Sequence, residues 1–137
     1  MKLDDLFYQF IVWGKLIRPS EFPYFKRYLT KMLERNRVMV IEDEDEMQAI
    51  LCFFLTDDIK KFDNRPTWST PYDTEDGEII FIDKMVAKVW TKELRNTVYE
   101  AIETKYPWVN QAVWLREPKN RHVIINKRRT HVHSKVS

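Results

Sequence analysis

The chain has 137 residues, 44% of them hydrophobic and 14% aromatic, with a formal net charge of +2; a chain of this length folds most economically as one domain that buries roughly 68% of its unfolded surface. The longest uncharged apolar run, Leu6 to Gly14, is too short to span a bilayer, and Met1 is not followed by the basic stretch, apolar core and small-residue cleavage site of an export signal. The single cysteine, Cys52, lies inside the apolar run AILCFFL, which excludes an internal disulfide and points to a buried thiol that packs as a small hydrophobe.

Leu3, Leu6, Phe7, Phe10, Gly14 and Ile17 recur at helical spacing, so residues 3 to 17 are predicted to form an amphipathic helix that Arg18-Pro19 ends. Ser20 is the expected N-cap of a second helix, whose Phe22, Phe25, Leu29, Met32 and Leu33 repeat every three or four residues as far as Asn36. The β-rich runs RVMVI and EMQAILCFFL flank Asp43-Glu44-Asp45 and predict a hairpin, with the acidic run 42 to 46 as its solvated turn. Residues 57 to 77 carry two prolines, one glycine and many turn formers without a sustained period, and read as a long surface loop. A strand is expected from Ile79 to Val89. Thr91 then caps a helix whose apolar stripe is Leu94, Val98, Ala101 and Ile102 and which Pro107 stops. VNQAVWL and RHVIINK form two further strands around the turn REPKN.

The order α-α-β-β-β-α-β-β defines an α/β (α+β) fold, a single domain with a mixed central sheet of about five strands and helices on both faces. The first three strands follow one another as an antiparallel meander, and the strand from 79, the helix from 91 and the strand from 109 make a right-handed β-α-β crossover. AILCFFL and EIIFI lack polar alternation, as strands covered on both faces do. The chain divides into an N-terminal helix (1–19), a body (20–127) and a basic tail (128–137).

The charge is unevenly spread. Arg116, Lys119, Arg121, Lys127, Arg128, Arg129 and Lys135 crowd the carboxyl end against a single acid, Glu117. With Trp108 and Trp114 nearby, this composition suits an acidic protein face or a phosphate backbone, and Lys119, Arg121, Lys127, Arg128 and Arg129 are the candidate partner-binding residues. His122, His131 and His133 share the segment, but no nearby carboxylate or cysteine completes a ligand set, so no metal is assigned.

A helix pair, a three-strand meander, a helix entered directly from the last strand and a closing strand pair together resemble the GNAT (acyl-CoA N-acyltransferase) superfamily, over residues 20 to 127. The resemblance implies that the strand IIFIDKMVAK splays from its neighbour and that the following turn and helix start wrap the pyrophosphate of acetyl-CoA. The family pattern there is Gln or Arg, two residues, Gly, one residue, then Gly or Ala, because glycine removes the Cβ that would hold the backbone away from the phosphates. Here the stretch is WTKELRNTV, with Leu94 and Asn96 at the small-residue positions, where their side chains would occupy the space the pyrophosphate needs. The only glycines are Gly14 and Gly77.

If acetyl-CoA binding is retained, Lys92, Leu94, Arg95 and Asn96 are the cofactor-binding candidates. Acetyl transfer to an amine also needs a base and an acid near the splayed strands, and Asp83 and Tyr99 are the nearest residues of suitable type. Two functions of different class follow. One is a GNAT-like domain with a degenerate acyl-CoA site and no cofactor, a binding or structural protein similar to small GNAT-like proteins encoded among bacteriophage virion genes. Its partner would be a protein, in a virion assembly, or nucleic acid held by the basic carboxyl end, with no membrane involved. The alternative is an active acetyl-CoA-dependent N-acetyltransferase with an atypical pyrophosphate loop. The expected location is the cytoplasm, or the virion if the protein is phage-encoded.

Overall fold

The computed structural model describes residues 2–14, 18–58, 73–116 and 121–126, with only the backbone course described for 114–116 and 121–126. Its elements in chain order are α1 (Leu3–Gln9), continued by a π-helical segment (Phe10–Gly14), a 3-10 turn (Pro19–Glu21), α2 (Phe22–Glu34), β1 (Val38–Asp43), β2 (Glu46–Thr56), β3 (Ile79–Ala87), α3 (Lys92–Lys105), β4 (Gln111–Arg116) and β5 (Arg121–Asn126). The strands form one sheet in the order β1-β2-β3-β4-β5. β1 and β2 are antiparallel, β3 and β4 parallel, and β4 and β5 antiparallel, which makes the sheet mixed as the element order requires.

The chain forms two compact units, Met1–Phe53 with Lys84–Arg95 and Phe54–Asp83 with Asn96–Ser137. In the first, α1 and α2 are joined by aromatic rings. Phe7 meets Phe22 edge-on at 5.1 Å, Phe10 meets Phe25 at 5.0 Å, and Phe25 stacks on Tyr28 at 5.8 Å. Leu6, Phe10, Phe25, Leu29 and Met32 are buried, and fully burying side chains of this size contributes about 1.5–3 kcal/mol each. Gly14 ends the π-helical segment against β3. A Cβ there would stand 3.1 Å from Val86 Cγ1, tighter than ordinary contact.

Two boundaries differ from the sequence expectation. The first helix changes from α to π geometry at Phe10, and residues 15–17 of the predicted span lie outside the described residues. Ser20 does not cap α2. It sits inside the 3-10 turn, where Glu21 closes the chain by accepting the Arg18 N–H at 3.1 Å and donating its own N–H to the Arg18 carbonyl at 2.8 Å. At its other end α2 stops in a left-handed Asn36 (φ 59°), with Asn36 N–H on the Leu33 carbonyl at 3.0 Å and Arg37 N–H on the Met32 carbonyl at 2.8 Å. This is the Schellman arrangement, with asparagine in place of the usual glycine.

The predicted hairpin is present. Glu44 and Asp45 both take positive φ (52° and 67°), the backbone of a two-residue type I′ turn. Residues Ala49 to Thr56 of β2 are buried without interruption, which accounts for the missing polar alternation.

In the second unit the described ends of the 57–77 loop are tied back to β2; residues 59–72 lie outside the described residues. Asp73 Oδ1 accepts the Leu55 N–H at 2.8 Å and Thr74 N–H reaches the Leu55 carbonyl at 2.8 Å. Gly77 passes so close that a Cβ would fall 2.7 Å from Thr56 Cα and 2.8 Å from the Leu55 carbonyl carbon. Trp108 closes the same corner by donating its indole N–H to the Gly77 carbonyl at 3.0 Å.

Candidate functional site

The ladder between β3 and β4 runs from Ile79 opposite Gln111 to Ile82 opposite Trp114. β3 extends beyond this ladder to Ala87. Asp83, the candidate base, is the first residue of β3 past this ladder and is half-buried. Beyond Ala87 the chain turns through Lys88, Val89 and Trp90. Lys88 keeps the turn attached to the hairpin, its N–H on the Gln48 carbonyl at 2.9 Å and its Nζ 3.5 Å from Glu46 Oε2. Both ends of that ion pair are more than half exposed, so it steers the lysine and adds little stability. Val89 and Trp90 are exposed, at 65% and 45%.

α3 begins with its cap in place. Thr91 Oγ1 accepts the Leu94 N–H at 3.0 Å, and the Thr91 carbonyl accepts the Arg95 N–H at 3.0 Å. The first turn therefore spends on its own threonine one of the N–H groups that an anion would use. Glu93 places a carboxylate in the same turn, where the positive end of the helix dipole stabilises it and where it repels a phosphate. Lys92, Arg95 and Asn96 are exposed.

Leu94 departs from the steric expectation. It is 9% exposed and begins the buried stripe continued by Val98 and Ile102, so its side chain lies in the core and not over the helix start. Asn96 alone of the two keeps its side chain at the surface. Tyr99, the candidate acid, is half-buried on α3 directly after buried Val98.

Among the partner-binding candidates, Lys119, Lys127, Arg128 and Arg129 lie outside the described residues, as do His131 and His133. Arg121 opens β5 opposite Arg116 in the β4–β5 register. None of the described helices is long and apolar enough to cross a membrane. The sequence reading overlooked Glu93 and the consequence of the Thr91 cap. The cap was signalled by the spacing, since a threonine three residues before Leu94 is placed to reach that N–H.

No protein-family model and no curated protein matches the chain. Among solved structures, the loading GNATL domain of CurA from Lyngbya majuscula superposes on it with a TM-score of 0.56 at 16% sequence identity, over 88% of this chain and 66% of that one. The chain thus has a GNAT-like fold, and it spans just under two thirds of the length of that domain. At this identity the likeness concerns the fold alone.

Proposed function

We propose that this GNAT-like domain works as a non-catalytic binding domain whose acyl-CoA end is closed. The observation that carries the reading is the start of α3, where Thr91 Oγ1 holds the Leu94 N–H and Glu93 sets a negative charge in the first turn. A pyrophosphate would have to displace the one and overcome the other. The basic carboxyl end then serves contact with an acidic partner protein. Calorimetric titration of the purified protein with acetyl-CoA tests the reading. No saturable heat is expected up to ~1 mM ligand, which corresponds to less than about 4 kcal/mol of binding free energy. Micromolar binding overturns it.

A second reading has one observation of its own. β3 leaves its ladder with β4 at Ile82, so Asp83 stands at the first position where a substrate amine is not excluded by strand pairing. In an N-acetyltransferase the amine nitrogen would attack the thioester carbonyl, Asp83 would take the amine proton, and the thiolate of coenzyme A would leave. Release of free thiol from acetyl-CoA over a panel of amines, abolished by Asp83→Asn, supports this alternative.

A further inference from the structure

We draw no further inference here: the strongest candidate, the exposed surface patch that Val89 and Trp90 form in the turn between β3 and α3, carries none because nothing in the structure shows what covers it.

Discussion

Replacing exposed Thr91 by alanine removes a hydroxyl and a methyl group, and the loss of the hydroxyl has two consequences. The hydroxyl accepts the Leu94 N–H at 3.0 Å, and alanine leaves that donor to water. Loss of a threonine cap costs about 1 kcal/mol. For a domain of this size that corresponds to a fall in Tm of roughly 3–5 °C. Thermal melts followed by far-UV circular dichroism measure it, and Thr91→Ser, which keeps the acceptor, should melt near the parent protein. The second consequence bears on function. Thr91→Ala together with Glu93→Gln returns a free N–H to the helix start and deletes the charge that opposes an anion. If these two features are what close the site, calorimetry should show saturable acetyl-CoA binding below ~1 mM where the parent shows none, one recovered hydrogen bond and one removed dipole-competing charge together contributing about tenfold. Unchanged stability in Thr91→Ala would refute the cap, and unchanged affinity in the double variant would refute the proposal that cap and acid exclude the ligand.

Three further outcomes are expected. Gly77→Ala should lower stability by about 1–3 kcal/mol, because the new methyl meets the backbone at Thr56 Cα (2.7 Å) and the Leu55 carbonyl carbon (2.8 Å), which cannot swing aside as a side chain could; the urea midpoint reports it. Leu94→Ala should cost about 2–3 kcal/mol by emptying a core position while leaving the heat of acetyl-CoA titration unchanged, since the leucine is buried and does not cover the helix start. Asn36→Val should destabilise by about 1–2 kcal/mol, whereas Asn36→Gly should be neutral or stabilising, because the residue sits at φ 59° where a β-branched side chain clashes with the following carbonyl. Chemical denaturation of both variants separates them.

Periodicity and turn chemistry made most of the fold legible. The stripe Phe25, Leu29, Met32 is buried as its spacing required, and the polar residues at 43 to 45 mark a turn because a two-residue hairpin needs positive φ at Glu44 and Asp45. Loss of alternation in β2 correctly announced burial from Ala49 to Thr56. The misreadings are local and have a common cause. Ser20 satisfies the composition of a cap, but it falls inside the 3-10 turn that Glu21 closes by accepting the Arg18 N–H, and no side chain caps α2 itself. The change from α to π geometry at Phe10 leaves the apolar spacing nearly intact, and hydrophobic periodicity does not register it.

At the start of α3, where the sequence places the candidate site, the structure differs from the sequence expectation in which way one side chain turns. A sequence aligned against a glycine pattern treats Leu94 as bulk in the way of a phosphate. On a helix, however, the position that caps the first turn and the position that starts the apolar stripe are set by the same phase. Once Val98 and Ile102 face the core, Leu94 four residues earlier must face it too, and its 9% exposure follows. Its main-chain N–H, not its side chain, is what remains at the helix start, and Thr91 takes it. If this end of the fold is closed as proposed, closure rests on hydrogen bonding and charge, with the Thr91 hydroxyl and the Glu93 carboxylate contending with an anion for the helix start. Thr91→Ala with Glu93→Gln, both at exposed positions, should consequently change ligand affinity more than any trimming of Leu94.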